Sequence, residues 1–329
     1  MVYSTRGGNT IKSTTNEPLA EAASVRISEA LDLFKRGFYP LKNILEAFGE
    51  IFLEQARLKA ELPPFTDLPV PPPDRLRFEQ GVPLTSEEVL LQIPENLWKI
   101  AADRLIPTME HCFPKIFNEL AIIGLAFTGR HLYSERCLKV LARGSGSEAE
   151  ATAADLGVSS RSLQFILSQI VKPLVARKAE ALHALIAGLG WHRGYCPVCG
   201  SMPEISFTKE EGQRWLRCAL CSHSWRFARL SCPFCENEDQ GKLSIYYIDG
   251  RKEERAEVCE KCGRYVVGID LRGQIDESVL DVAAIGMVHL DMLAQEKGLL
   301  PAAACAWNVI SREDTSSSPV HLGSRELNS

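Results

Sequence analysis

Residues 196–221 read CPVCGSMPEISFTKEEGQRWLRCALC and residues 232–262 read CPFCENEDQGKLSIYYIDGRKEERAEVCEKC. Each stretch opens and closes on a Cys-x-x-Cys knuckle and holds two apolar segments around a turn between them. In the first, Glu204–Phe207 and Arg214–Arg217 flank a turn at Gly212; in the second, Leu243–Ile248 and Arg255–Val258 flank Asp249-Gly250. The same order of knuckle, strand, turn, strand, knuckle occurs twice, so the region is an internal repeat of two small β modules.

Eight of the chain's 11 cysteines lie in these four pairs, Cys196/Cys199, Cys218/Cys221, Cys232/Cys235 and Cys259/Cys262. A Cys-x-x-Cys turn puts two sulfurs on one side of a tight loop, and two facing loops supply the corners of a tetrahedron. Four pairs therefore imply two metal sites. The intervals between pairs are 18, 10 and 23 residues, which suits a hairpin, a short crossover and a second hairpin. Sequential pairing is preferred: Cys196, Cys199, Cys218 and Cys221 around one ion, Cys232, Cys235, Cys259 and Cys262 around the other. A cross-braced arrangement is the competing topology, but it would leave the repeat without structural meaning. Modules this short need a staple to fold, and metal–thiolate bonding supplies it. Four thiolates suit both zinc and mononuclear iron. With every position filled by protein there is no open site for an activated water, which disfavours Lewis-acid hydrolysis.

The preceding chain is helical in pattern. Leu41, Ile44, Leu45, Phe48, Ile51, Phe52 and Leu58 form one apolar stripe. The proline-rich stretch LPPFTDLPVPPPDRLRFEQGVP, residues 62–83, reads as a surface connector. Helix resumes at Thr85, a candidate N-cap with Glu88 three residues on, in pieces interrupted at Pro94, Pro107 and Pro114. Leu163, Ile166, Leu167, Ile170 and Leu174 begin a long helix bent near Pro173, and Gly144-Ser145-Gly146-Ser147 before it reads as a link. Past the repeat, Val282, Ile285, Val288 or His289, Met292 and Leu293 mark a last helix between Asp281 and Lys297. The expected fold is α+β: a helical domain over residues 18–190, rubredoxin-like or zinc-ribbon modules over 191–230 and 231–275, a helix packing back over 276–310, and a disordered tail over 311–329.

The chain has 329 residues, a formal net charge of −5 and 45% hydrophobic residues, the profile of a globular protein rather than a coat for nucleic acid. No stretch is apolar for the length of a membrane span, and the opening MVYSTRGGNTIKSTTNEP lacks the apolar run of a signal peptide. A cytoplasmic location is expected, where thiols stay reduced and paired cysteines hold metal.

Together, Trp191, Arg193-Gly194-Tyr195 leading into CPVCGSMPEIS, then RWLRCALCSHSWRFARLSCPFCEN, EVCEKCGRYVVGIDLR and the Asp281-Val282-Ala283 helix start resemble the FdhE family of formate dehydrogenase accessory proteins. The FEQGVPL stretch of the helical half agrees. The resemblance implies a cytoplasmic maturation factor with two rubredoxin-like centres, iron favoured and zinc the alternative. It would bind the catalytic subunit of molybdenum-dependent respiratory formate dehydrogenases and not be an enzyme itself. The sequence departs from the family's pattern at Ser224, at Leu280-Asp281 and in its polar tail.

Two rival functions follow from the same residues. Arg214, Arg217, Arg226 and Arg229 alternate with Trp215, Trp225 and Phe227, as in a nucleic-acid-binding zinc ribbon. Residues 196–262 nevertheless carry 10 Lys/Arg against 11 Asp/Glu, so the aromatics are expected in the module cores and the arginines in solvent or against an acidic protein. A thiol–disulfide or sulfur-transfer enzyme would require one pair free of metal. His111 and Cys112 diverge by their helical spacing, Cys137 and Cys305 are single thiols, and His223 is a candidate hydrogen-bond partner for a thiolate. No G-x-G-x-x-G, Walker A or G-x-S-x-G motif occurs, and no residue is nominated as catalytic.

Overall fold

A computed structural model describes residues 17–37, 41–65, 72–129, 132–141, 146–209, 212–271 and 279–308. The order is nine helices, six strands, two short helices and a final two-residue strand among the described residues. Helices α1 (Glu17–Gly37) and α2 (Lys42–Glu61) are followed by the short α3 (Arg75–Glu79) and α4 (Glu87–Leu91). Then come α5 (Glu95–Cys112), α6 (Phe117–Thr128), α7 (Ser134–Leu141), α8 (Gly146–Leu156) and the long α9 (Ser160–Ile186).

The stripe expected along the second helix is present, and it serves two cores. Ile51 and Leu58 enter a first core with α5, α6 and α9, while Leu45, Phe48 and Phe52 enter a second with α1. Prolines interrupt less than expected. Helix α5 runs through Pro107, because Pro107 and Asp103, whose carbonyl loses its donor, both face solvent while Leu105, Ile106 and Met109 hold the other side in the core. Helix α9 continues through Pro173, as the long helix expected there does.

The hairpins form where the repeat places them. Strands β1 (Pro203–Lys209) and β2 (Gln213–Cys218) pair antiparallel, as do β4 (Leu243–Tyr246) and β5 (Glu254–Cys259). The chain then adds a strand after the closing knuckle of each module, β3 (Ser224–Arg226) on β2 and β6 (Arg264–Asp270) on β5. Parallel pairing of β1 with β6, Ile205 opposite Val267, fuses the two modules head to tail in one sheet of order β3-β2-β1-β6-β5-β4. Strand β7 (Leu300–Pro301) extends β6 beside Arg264 and Tyr265.

The last helix is not continuous. It divides into α10 (Leu280–Gly286) and α11 (Val288–Glu296) at Met287. The break shifts the helical phase, so Met292, expected in the core, is exposed and Ala294 is buried instead. Gly286 at the break allows the close approach of Phe34 from α1, whose ring lies 2.4 Å from where a Cβ would stand. The second core lies between α1, α2, α10 and α11 and one face of the sheet, carrying Ile205, Phe207, Ala256, Val258, Tyr265, Val267 and Ile269. The tail expected to be disordered lies outside the described residues.

Candidate metal centres

The four knuckles share one backbone geometry. The amide two peptide units beyond each x-x turn donates back to the first cysteine: Gly200 to Cys196, Ser222 to Cys218, Glu236 to Cys232 and Gly263 to Cys259, at 2.9, 3.2, 2.9 and 2.9 Å. Each of those donors has positive φ, at 78°, 57°, 55° and 67°. Two knuckles use glycine there, and Ser222 and Glu236 accept the left-handed conformation without it.

This turn aims both sulfurs of a pair outward, and the hairpins bring the pairs together in sequential order. Cys196, Cys199, Cys218 and Cys221 form one group and Cys232, Cys235, Cys259 and Cys262 another, all sulfurs of a group lying within 4.8 Å of one another. The cross-braced topology does not occur. Neighbouring sulfurs stand 3.6–3.7 Å apart in the first group, for example Cys199 to Cys218 at 3.6 Å, and 3.7 Å apart in the second. A tetrahedron with metal–sulfur bonds of about 2.3 Å has edges of about 3.8 Å, whereas a disulfide needs about 2.05 Å. The spacing suits an ion in each group and excludes disulfides.

The two environments differ. All four cysteines of the first group are buried, within the same core as Trp98, Leu105 and Leu174 of the helical bundle. Burial pushes the Cys196 and Cys221 thiols up, while the neighbouring Cys196, Cys218 and Cys221 thiols pull Cys199 down. Four thiolates in so dry a setting require a cation. In the second group Cys235 and Cys262 are half-exposed, and burial raises Cys232 to about 11.

The first module is tied to the helical half by contacts that the connector provides. Leu84 and Thr85 donate their amides to Pro197 and Val198 of the first knuckle, at 2.8 and 2.9 Å. Thr85 is therefore not the N-cap; Ser86 caps α4 by accepting from Val89. Phe78 of FEQGVPL is buried against Trp191, ring centroids 4.7 Å apart, and the Tyr195 hydroxyl donates to Gly81 O at 2.6 Å. The expected surface connector is thus partly a structural strap; residues 66–71 lie outside the described residues. Gly194 sits where a Cβ would fall 1.9 Å from Pro233 O of the third knuckle, so the Arg-Gly-Tyr motif seats the second module on the first.

Two of the four arginines expected in solvent are inside. Arg214 donates to Ala228 O, Ser231 O and Glu257, and Arg217 to Glu204 and Asp281. Their acidic partners, separated widely in sequence, left them looking unpaired. Arg226 and Arg229 are exposed, while Trp225 and Phe227 are buried in the first core as expected. His223 is not in the four-sulfur group; its carbonyl accepts the Cys218 amide at 2.9 Å and its ring lies 5.1 Å from that of His183. The ring of charges Lys172, Glu204, Arg217 and Asp281 was missed by sequence reasoning, although Asp281 stood at the head of a helix in a motif already singled out.

Comparison with known proteins bears on this same region. A family model described as "FdhE, central domain" matches residues 195–229, which hold the first sulfur group. The Protein FdhE homolog of Aquifex aeolicus (strain VF5) is 34% identical over 151 residues, 44% of this chain and 51% of that protein. The chain is similar to FdhE proteins over this region. Protein FdhE of Escherichia coli O127:H6 (strain E2348/69 / EPEC) is 42% identical over 84 residues, 24% of this chain and 26% of that one. The chain thus spans about half the length of one curated FdhE relative and a quarter of the other. The crystal structure of the FdhE protein from Pseudomonas aeruginosa has the same fold, with a TM-score of 0.62 at 21% identity over 87% of this chain and 95% of that one. No described helix is long and apolar enough to cross a membrane.

Proposed function

We propose that this chain is a cytoplasmic accessory protein in formate dehydrogenase maturation, binding the catalytic subunit of that enzyme through its helical half and two four-cysteine modules. Each cysteine group holds one ion in this reading, iron in preference to zinc. The observation that carries it is the closure of both sulfur groups, which leaves no coordination position for substrate, in a chain whose residues 195–229 match the FdhE central domain. Iron in such a set supplies one-electron exchange, and zinc supplies a rigid tie. The residues of the chain do the rest: the knuckles fix the sulfurs, the strap at Phe78 and Gly81 fixes the first module on the bundle, and Gly194 fixes the second on the first.

Co-purification of the tagged chain with a formate dehydrogenase catalytic subunit tests the partner, and deletion of the gene should abolish active enzyme. No capture together with undiminished formate dehydrogenase activity would sink the reading. Elemental analysis with a visible spectrum of fresh protein tests the metals: two ions per chain are expected, red if ferric. If a zinc-substituted chain supports full maturation, docking suffices and electron exchange is eliminated. The zinc-ribbon alternative loses support because Arg214 and Arg217 are buried and paired with the internal acids Glu257, Glu204 and Asp281, and a gel-shift series in salt decides it. The thiol-enzyme alternative predicts at least one fast-reacting pair in the native protein.

A further inference from the structure

The crossover between the two sulfur groups runs over the sheet face opposite the second core and leaves a cavity of about 370 Å³ beneath it. Thr208, Arg214, Arg255 and Glu257 line its floor, alternating along their strands with the core residues Phe207, Ala256 and Val258. Arg229, Leu230 and Phe234 of the crossover line the other side. Arg214 is 5% exposed, yet its Nε is buried with no hydrogen-bond partner. Arg229 is exposed and has neither hydrogen bond nor ion pair among the described residues.

The rim is apolar. Leu230, Phe234 and Ile245 are 54%, 41% and 53% exposed around one opening, with the Arg264 guanidinium stacked 3.9 Å from the Phe234 ring centroid. Ile245 belongs to β4, the last strand of the sheet path, whose outer edge has no neighbouring strand among the described residues. An open strand edge accepts main-chain hydrogen bonds from an extended chain, and a pocket beside it selects side chains. Four arginines face Glu257 and Asp270 around the cavity, and an occupied thiolate group at Cys232 and Cys259 offsets part of that charge. What selects the occupant is therefore local: the Arg214 Nε and the Arg229 guanidinium, which have no acceptor among the described residues while the other Arg214 nitrogens are held by Ala228, Ser231 and Glu257, beside exposed apolar side chains.

We propose that this cavity and the edge of β4 dock an extended, alternately apolar and acidic segment of a partner protein, one carboxylate seating between Arg214 and Arg229. The proposal does not depend on which protein supplies the segment, so it and the formate dehydrogenase reading can fail separately.

Fluorescence anisotropy with the full-length, metal-loaded chain tests it, using a labelled peptide of alternating valine and aspartate and its valine–asparagine counterpart. Saturable binding of the aspartate peptide is expected, about tenfold weaker for the asparagine peptide and about tenfold weaker for Arg229→Gln. Ile245→Asp should abolish binding, and Arg226→Gln, an exposed arginine on the far edge strand β3, should leave it unchanged. Arg229 is on the surface, so its variant keeps the fold; unchanged metal content verifies this. Absence of saturable binding, equal affinity for the two peptides, or equal losses in the Arg226 and Arg229 variants would overturn the proposal.

Discussion

Arg217 on β2 donates to Glu204 on the neighbouring strand and to Asp281 at the start of α10, both at 2.9 Å. Lys172 from α9 pairs with the same two carboxylates, at 3.3 and 2.5 Å, and closes a ring of two cations and two anions. The ring joins the helical bundle, the hairpin that ends on Cys218 and the C-terminal helices. Burial pushes the Glu204 carboxyl up against the pull of both cations, whereas Asp281, also buried, is held well below the usual carboxylate range by Arg217 and Lys172. Removing one member strands an opposite charge in a dry site, a loss of about 3–5 kcal/mol, while removing a cation and an anion together leaves a smaller deficit. Arg217→Met should therefore be more destabilising in urea than the Arg217→Met/Glu204→Met double variant. Losses that simply add would show that the four groups act independently.

The unequal burial of the two sulfur groups sets the order in which they give up their ions. A metallochromic chelator should remove one ion per chain at least about tenfold faster than the other, because access to the inner group needs opening of the bundle core. Cys235→Ser, in the half-exposed group, should eliminate the fast phase. Cys218→Ser should eliminate the slow phase and lower helical content by circular dichroism, since its sulfur group shares a core with α5 and α9. A single release rate for both ions would contradict this assignment.

Equivalent positions in the four knuckles give an internal comparison of backbone strain. At Gly263 nothing lies within 4 Å of an added Cβ, so Gly263→Ala isolates the cost of a side chain at φ 67°, roughly 1–2 kcal/mol. Ser222, with φ 57°, already bears that cost, and Ser222→Gly should be stabilising by about 0.5–1 kcal/mol after the greater freedom of glycine in the unfolded chain is deducted. Thermal midpoints that move in opposite directions, at equal metal content, verify both. Gly194→Ala belongs to another class: its Cβ meets backbone rather than empty space, so it should separate the modules and lower the midpoint more than Gly263→Ala.

The sulfur geometry was legible in the sequence because its determinants are local. A Cys-x-x-Cys turn, a strand and a second turn each lie within about ten residues, and the hairpins β1/β2 and β4/β5 follow from them. The strands β3 and β6 were not legible, for Ser224–Arg226 and Arg264–Asp270 carry no alternation of their own and are defined by the strands they join. The same holds for the fusion of the modules, which depends on Ile205 meeting Val267 across 62 residues of chain. Charges misled for a related reason. Arg214 and Arg217 sit in a run with the look of a basic surface, and only tertiary contact with Glu257 and Asp281 reveals that they are interior. Pro107 misled in the opposite sense, since a helix tolerates it on the solvent side once the other side is packed.

Asp291 on α11 supplies the clearest pH dependence. It is 1% exposed and accepts the Tyr265 hydroxyl through Oδ1 at 2.8 Å, while Oδ2 is buried without a partner. Burial raises its carboxyl from 3.8 to about 7, with the Tyr265 bond pulling weakly the other way. A raised carboxyl favours the folded state below the unfolded value and loses that contribution as pH rises through the folded one, here across about pH 4 to 7. Asp291→Asn keeps the acceptor for Tyr265 and removes the charge, so its stability relative to the parent should rise with pH. The advantage should grow by about 1 kcal/mol between pH 6 and 8 and level off above. His289 nearby titrates in the opposite sense, since burial and Arg251 lower it to about 4, but it is present in both proteins and cancels in the difference. Urea unfolding of the pair at matched metal content across pH 6 to 8.5 measures this; a difference independent of pH would mean that Asp291 is ionised throughout, with its second oxygen reached by water.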